Sequence, residues 1–224
     1  MFQIFIRQIA VSLLCVTIGL TISTATATSP DRPLKIVALG DSLTTGLGLP
    51  RSDAFPAKLT QALATRGYKV EITDAGVSGD TASGGLARLD WSVPADTDAV
   101  ILELGANDML RGFDPKLTRS VLEQILTRLT ARHIPVLLCG IRAAPNLGED
   151  YTRAFNPMFS ELAAKFAAEK VLLYPFFLDG VAADPKLNQA DGHHPNAAGV
   201  SVIVARILPK IEELIARVHA RNPS

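Results

Sequence analysis

Cysteine is almost missing from this 224-residue chain, which has two, Cys15 and Cys139. A small domain stapled by several disulfides is therefore excluded. Aromatic residues are scarce, at 6%, and Trp91 is the one tryptophan. Neither sign of charge is in excess: 22 Lys+Arg stand against 22 Asp+Glu. A dedicated nucleic-acid binder carries a basic surplus, so no nucleic-acid partner is expected. Nor is there an apolar stretch of the ~20 residues that a bilayer-spanning helix needs. What the chain does have is 48% hydrophobic residues at zero net charge. That is too apolar for a disordered polymer and suits one globular domain.

The first 27 residues differ from the rest. Arg7 is their single charge, Ile9 to Ile22 is an apolar run of 14, and Ala25-Thr26-Ala27 follows. A basic start, a short apolar centre and a small-residue exit predict a secretory signal peptide over 1–27, cleaved after Ala27. The domain is then 28–224, exported to the periplasm or the medium, with no stable membrane insertion once the signal is gone. Cys15 follows Leu14 where a lipoprotein signal wants a small residue, so lipidation is not expected. Cys139 lies in Val136-Leu137-Leu138-Cys139 and is read as a buried strand residue.

Short β-rich runs alternate with longer helical patterns past residue 30. Strands are expected at 34–39, 68–73, 99–104, 134–140 and 171–176. Several are apolar on nearly every residue, as strands buried on both faces are. Helices are expected at 55–66, 84–90, 115–132, 151–169 and 196–217. In 115–132 the apolar positions Leu117, Val121, Leu122, Ile125, Leu126 and Leu129 recur at helical spacing on one face. Strand–helix alternation of this kind predicts an α/β fold with a five-stranded parallel sheet covered on both sides.

Ligands of open parallel sheets bind at the carboxyl ends of the strands, and polar residues gather there. Gly40-Asp41-Ser42-Leu43 follows the first strand and Asp74-Ala75-Gly76-Val77-Ser78-Gly79-Asp80 the second. Gly105-Ala106-Asn107-Asp108 follows the third, and Asp191-Gly192-His193-His194-Pro195 precedes the last helix. Ser42 is a candidate nucleophile, although a serine after a strand is more often a turn or cap residue. Of the histidines, His133 at a helix end and His219 in the charged tail read as surface residues. His193 and His194 remain, with Asp191 close enough on the same loop to orient an imidazole. The pair could equally be loop residues or metal ligands, but no third ligand in H-E-x-x-H or C-x-x-C spacing exists. Pro195 biases His194 toward extended backbone, turning His193 to the opposite side. Gly79 and Asn107 add possible oxyanion donors, a backbone N–H and an amide. Together these residues make an acyl-transfer set.

Four of these segments resemble the four blocks of the SGNH (GDSL) hydrolase family. Gly40–Leu43 reads G-D-S-L, Gly79 is the block glycine, Gly105–Asp108 reads G-x-N-D, and Asp191–Pro195 reads D-x-x-H-P. The intervening text looks like the branch of bacterial arylesterases and the multifunctional acyl-CoA thioesterase/lysophospholipase. The resemblance implies a flavodoxin-like three-layer α/β/α sandwich with a shallow, open site. Ser42 would be the nucleophile, His194 the base and Asp191 its orienter. The Ser42 and Gly79 N–H groups and the Asn107 side chain would hold the oxyanion. No metal or organic cofactor is implied. Asp74 stands where the branch often has Asn, which bears on a bond within that loop.

The expected function is thus a serine ester hydrolase acting on small-molecule or lipid esters: aryl esters, acyl-CoA-like thioesters, lysophospholipids. Met109, Leu110, Phe113 and Leu147 are the candidate acyl-contacting residues, with Phe155 nearby. A carbohydrate O-deacetylase is the alternative within the class; the few aromatics weigh against it, because sugar sites stack rings. A catalytically inactive binding domain on the same fold is the alternative from another class.

Overall fold

The computed structural model describes residues 32–169 and 171–221. The expected signal peptide and Cys15 lie outside them. Five strands, β1 (Leu34–Gly40), β2 (Val70–Gly76), β3 (Ala99–Glu103), β4 (Val136–Cys139) and β5 (Leu172–Tyr174), form one sheet. Its order is β2-β1-β3-β4-β5, and every pairing is parallel. β3 and β4 are buried at every residue, which is why they read as apolar runs, with Glu103 at the end of β3 the exception.

Helices α1 (Ser42–Thr45), α2 (Phe55–Ala64), α3 (Ala82–Ala87), α4 (Leu89–Ser92), α5 (Ala106–Leu110), α6 (Pro115–Ala131), α7 (Glu149–Phe155), α8 (Met158–Lys165) and α9 (Ala197–Arg221) complete the fold. α2 packs with α9 on one face, while α3, α6 and α8 pack together on the other, giving three layers. Pro115 opens α6 at the position where its missing N–H costs nothing, and the Asp114 carboxylate caps it by accepting from Lys116 N. In α9 the buried residues Val200, Ile203, Val204, Ile207, Ile211, Leu214 and Val218 draw the stripe that sits on the sheet. No described helix is long and apolar enough to cross a membrane.

The structure departs from sequence expectation in places with identifiable causes. The helix expected over 151–169 is two helices, broken at Asn156-Pro157. Proline there has no N–H for the ladder, and its ring clashes with the preceding turn. The helix expected over 84–90 is likewise two short ones, α3 and α4. β2 runs three residues past its expected end, because pairing with β1 continues to Gly40–Gly76. It is an edge strand with no fully buried residue, unlike its neighbour β1. Leu117, in the first turn of α6, is exposed, while the other apolar positions of that helix are buried as their spacing predicts.

Candidate active site

Chain order reverses between β1 and β3, and polar residues converge at the carboxyl ends of the strands around that point. Ser42 is the first residue of α1, immediately beyond β1, so its N–H is among those a helix start leaves without an intrahelical acceptor. The Asp41 carboxylate caps this turn through Leu43 N at 2.9 Å. Gly40 allows the tight geometry: a Cβ there would lie 2.0 Å from Thr44 Oγ1.

Ser42 Oγ lies 2.9 Å from His194 Nε2, and His194 Nδ1 lies 2.7 Å from Asp191 Oδ2. Asp191 also accepts from the His193 and His194 N–H groups at 2.9 and 3.0 Å. Those two backbone bonds, His194 first, and the imidazole hold its carboxyl well below the usual range. An ionised Asp191 only accepts, so Nδ1 carries the ring hydrogen and Nε2 is free to accept from Ser42. A hydroxyl, an imidazole and a carboxylate so linked can generate an alkoxide-like nucleophile near neutral pH.

Gly79 lies in the loop after β2 with φ +82°, in the left-handed region. Its carbonyl accepts from Arg111 at 2.8 Å. Asn107, in α5, donates from Nδ2 to Asp41 Oδ2 and to the Asp80 carbonyl, both at 2.9 Å. Both partners are pure acceptors, which fixes which end of the amide is nitrogen. An oxyanion at this amide would therefore share a hydrogen already engaged.

Ser42, Gly79, Asn107, His193 and His194 line a cleft of about 280 Å³. Its other walls include Leu47, Met109, Leu110, Ile141, Phe176 and Arg142, whose guanidinium carbon lies 4.8 Å above the Phe176 ring. Of the residues expected to touch an acyl group, Met109 and Leu110 line the cleft; Phe113 and Leu147 do not. Phe155 is a core residue, fully buried between Tyr151 and Phe159. Cys139 is buried at the end of β4, and burial pushes its thiol well up. The Asp74 carboxylate, in the part of β2 beyond its expected end, accepts from Thr45 Oγ1 and Gly76 N at 2.9 Å. Among the described residues no cluster of three or more His, Cys, Asp or Glu could hold a metal.

Several supporting residues escape sequence reasoning. Arg88, buried, donates to the Gly40 and Ala75 carbonyls and to Asp80, fastening the ends of β1 and β2 to the loop that carries Gly79. Asp108, also buried, accepts from Ala82 N at 2.8 Å, tying α5, which carries Asn107, to α3. Gln189 donates to the Leu47 carbonyl at 2.7 Å and the Pro195 carbonyl at 3.0 Å, bridging the serine and histidine loops. These partners lie up to 142 residues apart, so no local pattern announces them.

Residues 38–202 match the GDSL-like lipase/acylhydrolase family. The chain is 38% identical over 181 residues to esterase TesA of Pseudomonas aeruginosa, covering 80% of this chain and 89% of that protein. It is 36% identical to thioesterase 1/protease 1/lysophospholipase L1 of Escherichia coli K12, over 80% of this chain and 84% of that one. The crystal structure of AlinE4, an SGNH-hydrolase family esterase, superposes with a TM-score of 0.69 at 42% identity, over 83% of this chain and 98% of that one.

Proposed function

The chain belongs to the GDSL-like lipase/acylhydrolase family, and is an ester hydrolase; from that premise we propose that it cleaves acyl esters and thioesters through an acyl-enzyme on Ser42. The observation that carries this reading is the Ser42–His194–Asp191 chain, with links of 2.9 and 2.7 Å, at the wall of an apolar cleft. Ser42 Oγ attacks the carbonyl carbon as its proton passes to His194 Nε2. The carbonyl oxygen becomes an oxyanion facing the Ser42 and Gly79 N–H groups and the Asn107 amide. Collapse expels the alcohol or thiol, which takes the proton from Nε2. Water then gives a proton to Nε2 as it attacks the acyl-enzyme, and the second collapse releases the acid as Ser42 Oγ takes that proton back from Nε2. Asp191 remains a carboxylate and stabilises the transient imidazolium.

The substrate reading follows from the walls. Leu43, Leu47, Met109, Leu110, Ile141 and Leu178 suit an acyl chain. A sugar would want an open aromatic face; Phe176 lies beneath Arg142, and Trp91 is outside the cleft. An export signal over residues 1–27 is part of the same reading, which makes this an enzyme of the periplasm or the medium.

Ser42→Ala is expected to abolish hydrolysis of p-nitrophenyl esters from acetate to palmitate while circular dichroism stays unchanged. A fluorophosphonate should label the wild type once, on Ser42. Near-normal turnover in the alanine variant, or labelling elsewhere, moves the nucleophile to another residue.

A further inference from the structure

Glu103 ends β3 with no exposure at all. The four residues before it are Ala99, Val100, Ile101 and Leu102, the side chains a doubly covered strand wants. A carboxyl in that setting costs several kcal/mol if ionised and unpaired. A residue that breaks the local rule at such cost points to a functional demand.

Its contacts show what it touches. Glu103 Oε2 accepts from Thr44 Oγ1 at 2.8 Å and from Asp41 N at 3.3 Å, so it holds the nucleophile turn on both sides of Ser42. Oε1 is buried with no partner among the described residues. The titratable groups around it are Asp41, from the turn, and Cys139, its ladder partner on β4; His194 acts in turn on Asp41. None of its hydrogen bonds or electrostatic neighbours is a lysine or arginine. Burial, and then the Asp41 charge, push Glu103 well above the usual carboxyl range. Glu103 also shares a side-chain hydrogen bond with Asp41 that raises Glu103 and lowers Asp41, so the proton of the pair sits on Glu103 and is donated to Asp41. Asp41 stays the anion of the pair, because Leu43 N and the Asn107 amide donate to it.

We propose that Glu103 is an uncharged positioning residue, which fixes the turn presenting Ser42 and, through Asp41, the Asn107 amide. The inference rests on the roles proposed above for Ser42 and Asn107. Nucleophile and amide matter most when the oxyanion forms, so losing this support should lower kcat and leave KM in place.

The test is steady-state hydrolysis of one soluble ester by Glu103→Gln and Glu103→Leu, with thermal melts of each. Glutamine keeps an acceptor for Thr44 and Asp41 N and cannot ionise. It should stay within roughly 3-fold of wild-type kcat, with a Tm at least as high. Leucine removes the acceptor and should lose roughly 10- to 100-fold in kcat with KM within about 2-fold. If Glu103→Leu does not fold, Thr44→Val replaces it, with a kcat loss of about 3- to 10-fold at constant KM. A glutamine variant as damaged as leucine would mean the charge is needed, and would overturn the proposal. So would a leucine or valine variant that loses Tm but keeps kcat. Failure of the underlying reading shows separately, as activity surviving in Ser42→Ala.

Discussion

The turn that presents Ser42 and the loop that presents His194 meet across 2.9 Å, yet they are built in opposite ways. The serine turn is buried, and burial raises both carboxyls that hold it: Glu103, pushed well up by burial and by Asp41, and Asp41, raised to about 6. The histidine loop is exposed, and its carboxyl, Asp191, is held well below the usual range by backbone N–H groups two and three residues on. Long-range contacts fix the first; the second largely folds on itself. The difference teaches that local N–H donors hold a carboxyl charged on the exposed loop, whereas under the serine turn burial pushes both carboxyls toward the neutral form. In the interior they serve as hydrogen-bond acceptors at an energetic cost.

The hardest test of that contrast is on the exposed side. His194→Ala should lose about 10⁴-fold or more in turnover, since it removes the base itself. Asp191→Asn should lose roughly 10²- to 10⁴-fold, because an amide neither fixes the tautomer nor stabilises imidazolium. His193→Ala should stay within about 3-fold: its N–H, which any residue supplies, is what Asp191 uses. Kinetics of the three variants on one soluble ester decide it. If His193→Ala were the more damaging histidine change, His193 and not His194 would be the base.

How legible each region was follows from the same difference. The Asp191 loop could be read from sequence because its bonds span two and three residues. The sheet could be read because β3 and β4 are buried on both faces and therefore apolar at every residue but Glu103. The four strand-end segments could be read because backbone turns force glycine and small residues into fixed places. Glu103 could not: it completes an apolar strand by sequence, and its partners are 59 and 62 residues away. α5 was missed because five residues are too few for a helical period to show. Phe113 and Leu147 do not line the cleft, since nearness in sequence to a site loop does not set side-chain direction.

A smaller effect should come from the tie between the regions. Gln189→Leu removes the bonds to the Leu47 and Pro195 carbonyls and leaves both loops otherwise intact. The loss of about 10-fold in kcat/KM expected from it reflects a looser Ser42–His194 distance. Fluorophosphonate labelling of Ser42 should slow in parallel. Unchanged labelling would mean that the loops hold their register without the glutamine, and that each region is fixed independently.

The smallest effect, and the most direct reading of the contrast, is in stability against pH. Asp41 has a folded-state pKa raised from 3.8 to about 6, chiefly by burial. The folded state therefore binds its proton more tightly than the unfolded chain does. Its contribution is favourable at low pH and is lost as pH rises from about 4 through about 6. Asp191 runs the other way. Its folded-state value is depressed, so its contribution is complete above about 4 and is lost as pH falls below that. Its side chain is 46% exposed, so the stabilisation is discounted by solvent screening to roughly 1–2 °C of Tm. Melts of wild type, Asp41→Asn and Asp191→Asn from pH 3 to 8 isolate each group as a difference curve. The Asp41→Asn variant should gain on wild type between about pH 4 and 6 and run parallel above. The Asp191→Asn variant should run parallel above about pH 4 and converge on wild type below it. Difference curves of the same sign in the same window would mean that the two carboxyls share one kind of environment, and the contrast between buried turn and open loop would fail.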